Sequence, residues 1–230
     1  MKSTPQEVLD AEKLVKLTEV EITKLVAEGK QVHIIWDFDG VLSSPLSDDV
    51  FKLTGGDLKK YFDYETRLFL SPPRPGVWLP LAQKVGELHT SQDVVTARSS
   101  FTAFRILVFC MWHCGSNVVN WMRWILFLGH QSKADSFRII LESLKDDPQT
   151  FIVFIDDTFR HVEIFKEASR KMEMAERTMG IVSSQIRDYT EKELQWHYKA
   201  IMNATGDSPV IIPGTPGRVQ QWFYRFSQRT

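Results

Sequence analysis

Asp37 and Asp39 stand one residue apart in HIIWDFDGVLSS, residues 33–44, directly after the apolar run Ile34-Ile35-Trp36. Two carboxylates this close repel each other, so the pairing points to a positive charge held between them. A second acidic pair, Asp156-Asp157, follows the apolar run FIVFI. Together the two pairs offer an all-oxygen environment without histidine or cysteine, which suits Mg²⁺ better than zinc. The predicted metal set is Asp37, Asp39, Asp156 and Asp157. Such a site, facing the Thr96 hydroxyl, the backbone N–H groups near Ala97 and the Lys133 ammonium, fits a phosphate monoester. Asp37 is then the candidate nucleophile that forms an aspartyl-phosphate. Asp39 is the candidate acid and base that protonates the leaving alkoxide and activates water.

These residues need a scaffold that delivers them to one place. Val32–Trp36, Asp93–Val95, Trp124–Leu128 and Phe151–Ile155 read as short buried strands. Helical patterns lie between them: Pro80–Leu88, a stripe of Phe101, Phe104, Val108 and Met111, and Lys133–Leu144. Residues 6–28 carry Val8, Leu9, Leu14, Leu17, Val20, Ile22, Leu25 and Val26 at near-helical spacing, with Gly29 as the stop. Alternating strands and helices predict an α/β fold, a Rossmann-like parallel sheet with helices on both faces. Ligands bind beyond the carboxyl ends of such strands, which is where Asp37, Asp39, Thr96, Arg98, Lys133, Asp156 and Asp157 fall. Residues 43–76 are too long for a simple connection. With Gly55-Gly56 and a proline-rich exit they read as a small helical cap inserted after the first strand. Further on, GIVSSQI can add an edge strand and Glu191–Met202 a helix, before a Pro/Gly connection and an aromatic tail.

DFDGVL, VVTARSS, Lys133 in GHQSKADSF and FIVFIDDTF resemble, in order, the four motifs of the haloacid dehalogenase superfamily, in its phosphatase-type members. The resemblance implies Asp37 as nucleophile. It implies Asp39 as acid and base whose backbone carbonyl also reaches the metal, and Asp156-Asp157 as the Mg²⁺ pair, with Asp157 the more direct ligand. Over residues 34–168, TARSS, the Phe-Leu-Gly segment before Lys133 and FIDDTFRHV are similar to the cytosolic 5'-nucleotidase I family. That likeness implies hydrolysis of nucleoside 5'-monophosphates.

The rest of the chain narrows the reading. A 43% hydrophobic, 25% charged composition with net charge −1 lacks the basic excess that nucleic acid polymers or anionic membranes demand, so phosphate binding is expected to be local. FRILVFCMWHCGSNVVNWMRWILFLG is interrupted too often to span a membrane. The N-terminus shows no signal core and the only cysteines are Cys110 and Cys114, which predicts a cytoplasmic protein without a disulfide framework. Those cysteines fit helix packing or, with His113, a metal pair. Arg98 fits either a contact to phosphate or base or a structural salt bridge, and His161 reads as a supporting residue. Among the cap aromatics Phe51, Tyr61, Phe62 and Tyr64, Phe51 and Tyr64 are the candidates for stacking on a base. Trp222, Phe223, Tyr224 and Phe226 fit docking on the body or a subunit contact in a homo-oligomer. The expected organisation is an N-terminal helical extension 1–30, a core of 31–42 and 77–200, a cap 43–76 and a C-terminal extension 201–230 packing on the core. Other readings are a phosphatase for another small phosphoester, such as a sugar phosphate, and a non-catalytic binding protein on the same fold.

Overall fold

The computed structural model describes residues 2–57, 59–61, 73–88, 90–98, 100–114, 122–129 and 131–202. Tyr64, Phe62 and the tail aromatics lie outside these residues, as do the contacts of the 203–230 extension.

Among the described residues five strands form the sheet: β1 (Gln31–Trp36), β2 (Ser91–Thr96), β3 (Met122–Phe127), β4 (Thr150–Asp156) and β5 (Thr178–Val182). All pairings are parallel and the spatial order is β3-β2-β1-β4-β5. Central strands buried on both faces need continuous apolar sequence rather than alternation, and β1 is buried from Val32 through Trp36. Its odd and even residues feed two cores. Ile34 and Trp36 join Val94, Val153 and Ile155 on one face, and Ile35 joins Val95, Ile152 and Phe154 on the other.

Helices cover both faces, as the alternating pattern predicts. The first face takes α1 (Pro5–Ala27) through Ile22 and Leu25, α3 (Leu79–Glu87) through Leu81, Ala82 and Val85, and α4 (Ala103–Cys114) through Ile106, Phe109 and Cys110. The second takes α5 (Lys133–Leu144) through Phe137, Ile140 and Leu141, and α6 (Phe159–Lys171) through Val162 and Phe165. Phe137, Phe154 and Phe165 meet with centroids 4.7–5.4 Å apart, within the range of favourable aromatic pairs. A helical insertion, α2 (Leu46–Leu53), lies between β1 and β2, and α7 (Glu191–Met202) packs near it through Leu194 and Ile201.

Several local expectations shift. Helix α1 starts at Pro5 because Thr4 and Glu7 form a reciprocal capping box. It turns Ala11, Thr18, Ile22 and Leu25 inward while Leu9, Leu17 and Val20 stay exposed. In α4 the inward residues are Ile106, Phe109 and Cys110, so Phe104 and Met111 of the expected stripe face outward. The edge strand occupies Thr178–Val182, ahead of most of GIVSSQI. It starts there because Thr178 pairs with Ile152 and the ladder follows β4 to Asp156. Among the described residues no helix is long and apolar enough to cross a membrane.

Candidate active site

The site is built where β1, β2 and β4 end. Asp37 N–H donates to the Ile155 carbonyl at 2.9 Å, extending the β1–β4 ladder one residue and fixing the backbone beneath the carboxylate. Phe38 then turns down against Phe109, with centroids 5.1 Å apart and nearly perpendicular rings. A tight turn follows, in which Ser43 N–H donates to the Phe38 carbonyl and Gly40 N–H to the Ser43 carbonyl, both at 2.8 Å. Gly40 has φ +80°, and a Cβ there would sit 2.1 Å from Asp157 Oδ2. Glycine is therefore demanded twice, by conformation and by space.

Lys133 opens α5, whose N-cap Ser132 accepts from Ala134 N–H. Its buried ammonium donates to Asp37 Oδ1 at 2.7 Å and to Asp156 Oδ2 at 2.6 Å. Burial opposes the Lys133 charge, but the two carboxylates outweigh it and push its pKa up to about 12. Burial drives the Asp37 carboxyl well above the usual carboxylate range; Lys133 resists that shift, while Asp156 and Asp157 reinforce it. Asp156 is fully buried. Burial alone would raise it, yet His161, Lys133 and their charges hold it below its ordinary value. Its Oδ1 also accepts from Thr158 N–H at 2.8 Å, and His161 Nδ1 lies 3.1 Å from both its oxygens. Asp157, shifted upward mainly by burial, accepts from Gln185 Nε2 and from Thr158 Oγ1.

Asp37, Asp156 and Asp157 each place one oxygen within 4.8 Å of the others. Carboxylates outnumber ammonium and guanidinium groups around them, and all the donors are hard oxygens, so the cluster fits a divalent cation of that preference. Asp39 is not part of this group. Its two oxygens face Arg98, with Nε at 2.6 Å from Oδ2 and Nη2 at 2.8 Å from Oδ1, in a buried two-pronged ion pair. Of the two readings left open for Arg98, the structure shows the salt bridge, and its guanidinium also lies 5.4 Å from the Phe38 ring centroid. Cys110 is buried in the core, and no metal-ligating group among the described residues includes it or His113.

A cavity of about 510 Å³ opens above these groups. Asp37, Asp39, Thr96, Ala97, Arg98, Lys133 and Asp157, far apart in sequence, line its floor together, and Asp156 is buried. Arg98 N–H donates to Thr96 Oγ1 at 3.2 Å, which orients that hydroxyl. The wall comes from α2 and the residues after it: Asp48, Phe51, Lys52 and Tyr61. Phe51 and Tyr61 pack edge to face, with centroids 5.2 Å apart. Sequence reasoning passed over Asp48 and Gln185, and met Gly40 only as a glycine inside the first motif.

No protein-family profile and no curated protein sequence matches the chain. Among solved structures it is similar to the class C acid phosphatase from Bacillus anthracis with tungstate bound, at TM-score 0.50 and 13% identity, over 90% of this chain and 93% of that one. It is also similar to the HAD domain of the effector protein Lem4 from Legionella pneumophila, at TM-score 0.43 and 14% identity, over 75% of this chain and 95% of that one. The chain thus shares the fold of that acid phosphatase, with a buried acidic cluster at the carboxyl ends of its strands.

Proposed function

We propose that the protein is a Mg²⁺-dependent phosphomonoesterase that hydrolyses nucleoside 5'-monophosphates through an aspartyl-phosphate on Asp37. The observation that carries this reading is the buried Lys133 ammonium held between Asp37 and Asp156 at the floor of the cavity. It gives a phosphoryl group a fixed cation beside a fixed nucleophile. Thr96 Oγ1 and the Ala97 backbone N–H stand on the same floor and supply further donors to the phosphoryl oxygens. Asp37, Asp156 and Asp157 would hold the ion, which when bound neutralises charge developing on those oxygens. A carboxylate oxygen of Asp37 then attacks phosphorus as the ester bond breaks, and water later releases phosphate and restores Asp37. The family resemblance gives the leaving-group proton to Asp39. The likeness in fold to an acid phosphatase that holds tungstate, a tetrahedral oxyanion, agrees with an oxyanion at this crevice. A base is accommodated by the apolar wall at Phe51 and Tyr61. The expected setting is the reducing cytoplasm.

Asp48 and Lys52 on the same wall favour a second reading, a hydroxyl-rich leaving group such as a sugar. Phosphate release from a panel of nucleoside monophosphates and sugar phosphates, with Mg²⁺ and with chelator, separates the two. Nucleotides should win, and Asp37→Asn should bring release to background while the thermal melt stays cooperative. Release from sugar phosphates alone would discard the nucleotidase reading, and full activity in Asp37→Asn would discard the mechanism.

A further inference from the structure

The loop after β5 is led to the site by fixed contacts. Ser183 N–H donates to the Asp156 carbonyl at 2.8 Å, carrying the β4–β5 pairing one residue past the strand. The Ser183 hydroxyl accepts from Trp78 Nε1, just ahead of α3, at 2.6 Å. Two residues on, Gln185 comes beside Gly40, where a Cβ would stand 3.4 Å from Gln185 Cγ and 2.1 Å from Asp157 Oδ2. The bare backbone of Gly40 leaves the gap in which these two side chains meet. Gln185 Nε2 donates to Asp157 Oδ2, and Gln185 Oε1 accepts from Arg187 Nη2 at 2.8 Å. A carboxylate only accepts and a guanidinium only donates, so the two partners force a single orientation on the amide. Arg187 is itself held. Its Nε and Nη2 donate to Asp49 of α2 at 2.6 and 3.2 Å, and its backbone N–H donates to Ser3 Oγ at 3.0 Å.

The three carboxylates of the acidic cluster are not held alike. Asp37 and Asp156 share the Lys133 ammonium, at 2.7 and 2.6 Å. Among the hydrogen bonds of the described residues, Asp157 accepts from neutral groups alone, the Gln185 amide and the Thr158 hydroxyl. Neutral donors fix the rotation of a carboxylate without cancelling its charge, and its remaining lone pairs stay open to a cation.

We propose that Gln185 is a positioning residue for Asp157 as a metal ligand, and that Arg187 links its amide to Asp49, so that the metal site and the α2 wall are set together. Resting on the Mg²⁺ site of the reading above, this gives the ion a support outside the four motifs. The same helix carries Phe51 and Lys52 to the cavity wall, so the chain Asp157–Gln185–Arg187–Asp49 joins the floor of the cavity to its side.

Calorimetric titration of Mg²⁺ alone into the metal-free full chain tests this, on wild type, Gln185→Met, Arg187→Lys and the double variant. Methionine keeps the length and unbranched shape of the side chain but has no N–H to donate, so the Mg²⁺ Kd should rise by roughly 10–100-fold. A merely structural role would lower the metal-free Tm and leave the Kd where it was, which would overturn the positioning role. Lysine at 187 keeps the charge beside Asp49 but lacks the fork that reaches Gln185 as well. Arg187→Lys should therefore raise the Kd too, and the double variant should bind little worse than Gln185→Met, because both changes act through one amide. An unchanged Kd in Arg187→Lys, or losses that add in the double variant, would overturn the link to α2. Wild type that takes up no Mg²⁺ would overturn the metal site of the proposed function itself, an outcome distinct from binding that survives Gln185→Met.

Discussion

Gly40 shows how little room the site leaves. Any Cβ there would meet Asp157 Oδ2 at 2.1 Å and would also have to tolerate φ +80°. Gly40→Ala is expected to cost about 1–3 kcal/mol from backbone strain, and more if Asp157 cannot move aside. For a chain of this length that lowers Tm by at least roughly 2–4 °C, and Mg²⁺-dependent phosphate release should fall by more than tenfold. A variant with wild-type Tm and activity would show that Asp157 is not pinned by the turn. At this scale the sequence was legible where a polar residue ends an apolar run: Asp37 after Trp36, Thr96 after Val95, Asp156 after Ile155. The Arg98–Asp39 pair, Gln185 on Asp157 and Asp48 on the cavity wall were not legible. Each depends on how separate loops are turned toward each other, which neither periodicity nor spacing encodes.

Among elements, α2 is held by charge as well as by the apolar contact of Val50. Asp49 accepts from Arg187 Nε at 2.6 Å and Nη2 at 3.2 Å and from the Tyr189 hydroxyl, while Arg74 at the far side of the insertion donates to Glu193 at 2.7 Å. Partial burial would raise Asp49, but Arg187, Tyr189 and Lys52 overcome it and hold it at about 2. A carboxyl lowered on folding stabilises above its unfolded pKa of about 3.9. That contribution fades as pH falls toward 2. Asp49→Ala should therefore lower Tm at pH 7 by roughly 4–8 °C, corresponding to about 2 kcal/mol for hydrogen bonds to a charged group, discounted for its partial exposure. The gap from wild type should narrow in melts recorded from pH 5 downward, and a gap that stays constant with pH would assign the loss to packing. Element reading was uneven for a physical reason. Lys133–Leu144 and Glu191–Met202 match the expected helices to the residue. Helix α6, never singled out, buries Val162, Phe165 and Ser169 in a segment otherwise crowded with charge, so its apolar signal is thin.

Across the whole molecule, a polar tie crosses three strands beneath the site. His33 on β1 places Nε2 2.9 Å from Asp93 Oδ2 and Nδ1 2.6 Å from Ser91 Oγ, and Asp93 accepts from Arg123 Nη2 on β3 at 2.7 Å. Burial lowers the His33 pKa, with Asp93 only partly restoring it. A histidine lowered on folding stabilises above its unfolded pKa of about 6.5. That contribution is lost as pH falls below it. Tm should drop between pH 7.5 and pH 5.5, and His33→Gln should start lower at pH 7.5 yet show a flatter slope. An unchanged slope would place the titrating group elsewhere. The sheet order was legible only as a class, because parallel βα units predict neighbours but not which edge each later strand takes.

The ammonium of Lys133 between Asp37 and Asp156 also sets an order of assembly. A cluster of buried carboxylates with no resident cation would have to take up protons or a metal in order to fold. Here the chain brings its own counter-charge, so the crevice can close first and recruit its ion afterwards. On the proposed function, binding energy from the ion would then be free to discriminate among ions and to act on the phosphoryl group, and the folded protein could stand in reserve until that ion is available.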